Sequence, residues 1–328
     1  MVHRRRPILA LPSLAFAFAA CSAPGHRVLT QGNDRLCLFD RDGQIVWQMP
    51  WGGIHDLHVL ADGHVMVQRG AHRVVEIDRT TREVVWEYDA ATANGNRGPS
   101  GNQGPSGNQG QRVEVHSFEP LADGVVMVAE SGPARIVEVD RDGTLLCTTP
   151  LHVDRPNAHT DTRLVRKISA ERYLVCHEGD GVVREYERGT GRVVWEYDVP
   201  LFGREPAGGH GPEAYGDKCF CALRLPGGNT LISTGNGHGV LEVTPGGEIV
   251  WQLRQDDLPG IRLAWVTTLQ VLGNGNYVLG NCHAGPGQPS LVELDPVSRR
   301  VVWRFEHFDE LGNSVSNSIV LDAPTIAR

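Results

Sequence analysis

Histidine is the side chain through which this 328-residue sequence first suggests chemistry: 14 are present, 13 of them after residue 20. His55, His116, His159, His177 and His283 stand in or beside polar, Gly- and Asp-rich segments, and three readings of them are open. They can be loop residues hydrogen-bonded to backbone. They can be neutral imidazole ligands of a divalent metal, with Glu130 orienting one of them, although no local His-Glu-x-x-His signature is present. Or one can act as nucleophile or general base on an anionic substrate, with Arg163, Arg69, Lys218 or Arg262 meeting the charge. Gly235-Asn-Gly-His-Gly239 and Gly280-Asn-Cys-His-Ala-Gly285 add Gly-rich loops whose N–H groups can cradle an anion. Neither loop opens a helix after a strand, which excludes a nucleotide fingerprint, and such glycines equally serve tight turns with positive φ.

The elements that must position these residues recur six times. Asp40-Arg-Asp-Gly-Gln-Ile-Val-Trp47 is echoed by segments ending in Trp86, Cys147, Trp195, Trp251 and Trp303. Each is a turn followed by a β-branched run, hence a hairpin leading into a strand. Upstream lies a strand of alternating polarity, such as Val75-Glu76-Ile77 or Val292-Glu293-Leu294. Before that, two apolar runs flank a tight turn: Leu60-Ala-Asp-Gly63, Leu121-Ala-Asp-Gly124, Leu225-Pro-Gly-Gly228, Leu272-Gly-Asn-Gly275 and the degenerate Ile168-Ser-Ala-Glu171. Four strands, A to D, in about 51 residues per repeat are the signature of propeller blades. The last repeat leaves one strand over, residues 314–321, and the N-terminal repeat lacks its strand A. The expected fold is therefore all-β: a six-bladed β-propeller with four antiparallel strands per blade, the last blade closed by the C-terminal strand A beside N-terminal strands B–D. Closure removes sheet edges that would otherwise aggregate.

In such a ring the A–B and C–D turns lie on one face and the B–C and D–A connections on the other. Eleven of the 13 histidines map to the second face, where the longer loops are, and loops on a rigid scaffold are where sites form. A register count gives two belts. Nine residues after the strand A reference (60, 121, 168, 225, 272) come Arg69, Glu130, His177, Thr234 and Asn281, all polar, with Gln31 as the expected sixth member. Five residues before the same reference come His55, His116, Arg163, Phe220 and Thr267, a less uniform set. The recurrent Trp reads as packing between blades, with blade 2, which has Cys147 instead, packing less well.

The remaining features set boundaries. Residues 1–20 carry Arg4, Arg5 and Arg6 and then an apolar run too short for the roughly 20 residues of a spanning helix, which reads as an export signal of lipoprotein type with Cys21 as the lipidation site. Residues 21–328 then form one propeller, interrupted at 94–111 by a Gly/Pro/Asn/Gln insertion containing Gly98-Pro-Ser-Gly-Asn-Gln103 twice over, expected to be disordered. Net charge is −8, and scattered arginines with only two lysines argue against nucleic acid. Six cysteines follow Cys21, none adjacent to another; Cys219 and Cys221 are too close along one strand to bridge without strain.

Two resemblances follow from these residues. Ala222-Leu-Arg-Leu-Pro-Gly-Gly-Asn-Thr-Leu-Ile-Ser233, continued by Gly239-Val-Leu-Glu-Val-Thr-Pro-Gly-Gly-Glu-Ile-Val-Trp251, resembles a blade of the bacterial arylsulfotransferase-like propellers. Tyr186-Glu-Arg-Gly-Thr-Gly-Arg-Val-Val-Trp195 is similar to the tryptophan-docking repeat of quinoprotein-type (PQQ-like) propellers. The first resemblance implies transfer through a channel histidine and carries over to His55 alone, from His55-Asp-Leu-His58. The second implies a quinone cofactor, but six blades and the lack of adjacent cysteines argue against pyrroloquinoline quinone, leaving a divalent metal as the cofactor to consider. The expected protein is exported to the periplasm or cell envelope, a monomer touching membrane only through a lipid anchor. Its expected partner is a small anionic or aromatic molecule in the channel mouth, turned over by a histidine-assisted transferase or hydrolase. The alternative is a non-catalytic scaffold for another envelope protein.

Overall fold

The computed structural model describes residues 25–96 and 112–327. Six four-stranded antiparallel sheets stand around an axis. Blade 1 is built from Leu57–Val59, Val65–Arg69, Arg73–Ile77 and Val84–Asp89. Blade 2 is built from Glu114–Pro120, Val126–Ser131, Arg135–Val139 and Leu145–Pro150. Blades 3, 4 and 5 begin at Val165–Ser169, Cys221–Arg224 and Leu269–Leu272. Blade 6 joins the two ends of the chain as expected: Ser318–Val320 pairs with Val28–Gly32, Val28 opposite Val320. The C-terminal strand is shorter than the eight residues read from the sequence, because residues 314–317 instead run as a connection whose Asn317 donates to His55 O at 3.0 Å. A strand not foreseen, Thr325–Ala327, adds itself to the inner edge of blade 5.

The repeated residues explain the repeated geometry. In blades 2 and 6 the leading Asp of the C–D turn accepts backbone N–H groups two and four residues on, as when Asp140 Oδ1 takes Asp142 N at 2.9 Å and Thr144 N at 2.7 Å. All six C–D ladders slip register at the same step; such bulges sharpen the twist a blade needs. Opposite the strand C residue before the slip stands the D-strand Trp: Glu76 faces Trp86, Glu185 faces Trp195, Glu242 faces Trp251. The indole then reaches the neighbouring blade. Trp47, Trp86, Trp195 and Trp251 donate Nε1–H to the carbonyls of Arg79, Arg141, Pro245 and Pro296 at 2.9–3.0 Å, so the Trp is a docking residue between blades. Between blades 2 and 3, where Cys147 replaces it, Tyr173 and Tyr186 are fully buried. Glu138 there accepts from Tyr173, Lys167 and Arg188, a polar network doing the docking that the indole does elsewhere.

Cys21 and residues 97–111 of the insertion lie outside the described residues. The insertion's first residues are ordered: Asn94 is buried and donates Nδ2–H to Glu130 Oε2 at 2.9 Å. Among the described residues no helix is long and apolar enough to cross a membrane.

Candidate functional site

Strand A is the innermost strand of each blade, so the residues that lead into it meet at the axis. His55 (blade 1), His116 (blade 2), Arg163 (blade 3) and Phe220 (blade 4) do meet there. The His55 ring lies 4.6 Å from that of His116 and is stacked 6.3 Å from Phe220, on the opposite side of the ring of blades. His159, from the connection between blades 2 and 3, joins them at 5.5 Å from His116 and 6.3 Å from His55. His116 is aimed by a bulge: Val115 pairs with Glu130 and Ser117 with Ala129, so His116 is the extra residue and its side chain turns inward.

Hydrogen bonds fix the tautomers. His116 Nδ1 lies 3.0 Å from the carbonyl of Thr162 and must donate to it, which leaves Nε2 facing Glu114 Oε2 at 2.9 Å. The same carboxylate oxygen is 2.9 Å from His159 Nδ1, while Arg112 lies 2.7 Å from Oε1. His55 faces Gln68 Oε1 at 3.3 Å through Nδ1, and its own N–H donates to that oxygen at 2.8 Å. The Gln68 amide is set in turn by donating to Gly70 O at 3.0 Å, so the Nδ1 of His55 donates and its Nε2 is a lone pair.

Burial, with the Arg163 charge, pushes His116 down to about 4, and burial with the neighbouring His116 and Arg163 charges pushes His55 well below the ordinary histidine value. Both rings are neutral at pH 7. Glu114 is held well below the carboxylate range: burial works against ionisation, but the close contacts with His116 and His159 outweigh it. Arg163 is buried against Glu178. Its Nη1 has no hydrogen-bond partner among the described residues, nor has Thr267 Oγ1, the blade 5 member of the same belt.

One layer below, Asp56 is wholly buried and accepts from Arg166 at 2.8 and 3.0 Å, from Ser117 Oγ at 2.9 Å and from the backbone of Leu57 and Phe118. Beneath that pair is a cavity of about 170 Å³, reaching to Thr325 on the added strand.

The other residues singled out from sequence stand apart. His177 is spent on Asp161 O at 2.7 Å and the Tyr186 hydroxyl at 2.8 Å. Glu130 orients no histidine; it accepts from Tyr88, Asn94 and Arg135. Thr234 of the same belt bonds Gly239 O in its own loop, Asn281 Oδ1 accepts from Ala264 N in the connection leading into its blade, and Arg69 is exposed beside Glu87. His283 is 5.2 Å from His210, whose ring lies on Trp265 at 4.9 Å. Lys218 is exposed, and its amine makes no ion pair among the described residues. Arg262 pairs with Glu213 at 2.7 Å on the surface. The sequence reading missed Glu114 and Gln68. Glu114 had a signal, since residues two apart on a strand share a face; Gln68 had none.

Known structures share the fold. A protein of unknown function from Bacteroides caccae is 21% identical with a TM-score of 0.68, covering 90% of this chain and 98% of its own. A streptogramin B lyase is 13% identical with a TM-score of 0.52, covering 88% and 85%. The WD40 β-propeller domain of Doa1 is 13% identical with a TM-score of 0.51, covering 77% and 71%. At these identities the likeness concerns architecture alone. No curated protein matches the sequence. A family match does cover most of the chain, residues 32–305, spanning all six repeats, and by it the chain belongs to the PQQ-like propeller family described as outer membrane protein assembly factor BamB.

Proposed function

We propose that this is an exported cell-envelope propeller that binds a small anionic, aromatic molecule at the loop-face end of its axis and turns it over by histidine-assisted transfer or hydrolysis. The observation that carries the reading is the Arg163 guanidinium, buried with an unpartnered N–H, in a belt with two neutral histidines and an aromatic ring. Arg163, ion-paired with Glu178, still offers an unpartnered Nη1–H to an anion, and Phe220 offers a face for a ring. His55 supplies an unprotonated Nε2 whose orientation is set by a third group, Gln68, the arrangement a nucleophile or general base requires. No step runs through a quinone: the chain lacks adjacent cysteines, and the apposed rings of His55 and Phe220 occupy the axis.

The test is a panel of aryl sulfate, phosphate and carboxylate esters, with binding and release of the phenol both measured. Turnover of one class, lowered at least about 100-fold in kcat/KM by His55→Ala with Tm unchanged, supports the reading. Neither binding nor turnover of any class refutes it.

A second reading, a scaffold for another envelope protein, is favoured by the family's description and by the outer strands. Val46, Val85, Leu146 and Val250, just before the docking position in four blades, are each more than half exposed. Unpaired edge strands with apolar rows are places where another chain can add. Leakage of an envelope reporter, unchanged when these four are replaced by Lys, refutes that alternative.

A further inference from the structure

We infer that Glu114, His116 and His159 form a binding site for one divalent cation of the zinc class at the loop-face end of the axis. The inference rests on the reading that this end of the channel is the functional one, and adds the ligand that three of its residues are built to hold.

Three donor atoms from two chain segments converge on one point. Glu114 Oε2, His116 Nε2 and His159 Nδ1 all lie within 4.8 Å of one another, and both histidine nitrogens are 2.9 Å from the same carboxylate oxygen. Two ligand atoms each about 2.0–2.1 Å from a tetrahedral zinc are roughly 3.3 Å apart, so an opening of a few tenths of an ångström admits the ion.

The hydrogen-bond inventory points the same way. The His116 ring is wholly buried, with Nδ1 turned to Thr162 O at 3.0 Å. The other ring nitrogen, Nε2, is the one turned to Glu114 Oε2 at 2.9 Å, so the nitrogen beside the carboxylate is the one placed to ligate. A proton needs two partners; a third donor atom converging from His159 is what a metal needs. A ligating imidazole whose other nitrogen donates to a backbone carbonyl is the common outer arrangement of metal sites, fixing both ring and tautomer. Arg112 on Oε1 leaves Oε2 for the ion. Two imidazoles and one carboxylate select a borderline cation over calcium or magnesium, which prefer all-oxygen shells. They also leave a fourth position for water or substrate. His159 is exposed, so that position opens to the channel mouth, with His55 4.6 Å from the His116 ring.

The only other such cluster among the described residues, Asp62, His64 and Glu76, lies at an A–B turn on the opposite face. There a single histidine meets two carboxylates, one of them, Asp62, more than half exposed, a donor set poorer in nitrogen than two imidazoles and one carboxylate.

The experiment is equilibrium dialysis of the chelator-stripped full chain against Zn²⁺ and Co²⁺, with metal content and the visible d–d spectrum of the cobalt form as readouts. One equivalent is expected, with tetrahedral-type cobalt absorption. His159→Ala, at an exposed position that leaves the fold intact, and Glu114→Gln should each weaken binding by at least about 10–100-fold, the loss that even outer-shell changes produce. His64→Ala should leave it unchanged. Absence of saturable binding, or binding lost in His64→Ala and retained in His159→Ala, overturns the site. Turnover of an aryl ester that persists in the stripped protein removes the metal while sparing the proposed function; one bound equivalent with no ester bound or turned over does the reverse.

Discussion

Asp56→Asn is the substitution that most directly tests how the axis is held together. Asp56 in blade 1 is fully buried and is gripped by Arg166 from blade 3 through two bonds of 2.8 and 3.0 Å. It also accepts from Ser117 Oγ and Phe118 N of blade 2 at 2.9 and 3.2 Å, and Asn317 beside blade 6 lies 3.4 Å away. One carboxylate thus ties four of the six blades immediately below His55. The asparagine keeps the shape but removes the charge, leaving Arg166 ionised and unpaired. Breaking a buried pair from one side costs roughly 3–5 kcal/mol, and at roughly 2–4 °C per kcal/mol for a domain of this size the melting temperature should fall by on the order of 10 °C. Removing both partners, as Asp56→Leu with Arg166→Met, strands no charge and should cost less than the sum of the single changes by about 1–3 kcal/mol.

The pH dependence has a defined sign. Burial opposes ionisation of Asp56, but Arg166 and His58 hold its carboxyl far below the usual range. Its contribution is therefore present above the unfolded value near 3.9 and is lost as pH falls toward the folded value. The gap in Tm between wild type and Asp56→Asn should be constant from pH 5 to 7 and narrow below about pH 4. Calorimetry across that range is the assay. A variant melting within about 2 °C of wild type at pH 7, or strictly additive single and double changes, would refute the claim that this pair is the keystone of the axis.

Trp251 donates to Pro296 O at 2.9 Å and packs edge-on against Tyr277 at 5.4 Å; Trp251→Phe should cost about 1 kcal/mol for the lost bond and Trp251→Ala about 3 kcal/mol or more by denaturant titration. His26 spans Glu293 at 2.8 Å and Asp322 at 3.2 Å across the ring closure, and the hydrogen bond to Glu293 raises its pKa. That contribution is complete below the unfolded value near 6.5 and disappears as pH rises through the folded one, so the Tm difference between pH 6 and pH 8.5 should shrink in His26→Gln. Of the six described cysteines, all unpaired, five are buried and Cys147 is partly exposed, while burial pushes the thiols of Cys221 and Cys282 up to about 12. Alkylation of the folded protein at pH 8, read by peptide mass spectrometry, should therefore label Cys147 well before the other five.

The fold was legible because each blade spells itself out locally. The Asp-led turn, the β-branched run and the terminal Trp lie within nine residues of one another, and ladder pairing in a meander is between neighbours in sequence. Even the closing blade could be read, since one missing strand at each count of the ends admits one solution. What escaped were events without a repeat: the short strand Thr325–Ala327 has nothing in its composition that announces an inner-edge partner, and the replacement of the blade 2 indole by the Glu138–Tyr173–Arg188 network draws on residues from two blades.

The site was legible in position but not in membership, and the reason is geometric. Of the two register belts, the one that looked stronger, with six polar residues in six places, lies where strand B leaves the sheet. A polar side chain there has loop backbone within reach: Thr234 bonds Gly239 O in its own B–C loop, while His177 and Asn281 bond Asp161 and Ala264 in the connections leading into their own blades. Uniform polarity across repeats reported a uniform structural task. The weaker belt, where strand A begins, is the one nearest the axis, and there residues of different blades face one another. Its members need not resemble each other, because each meets a different neighbour: His55 faces His116 and Phe220, and Arg163 is buried against Glu178. In a ring of near-identical blades, function requires that symmetry be broken at the centre. The residues to suspect were those at which the repeats disagree on the innermost strand, and the bulge that turns His116 inward beside Glu114 is the point where that disagreement is built into the backbone.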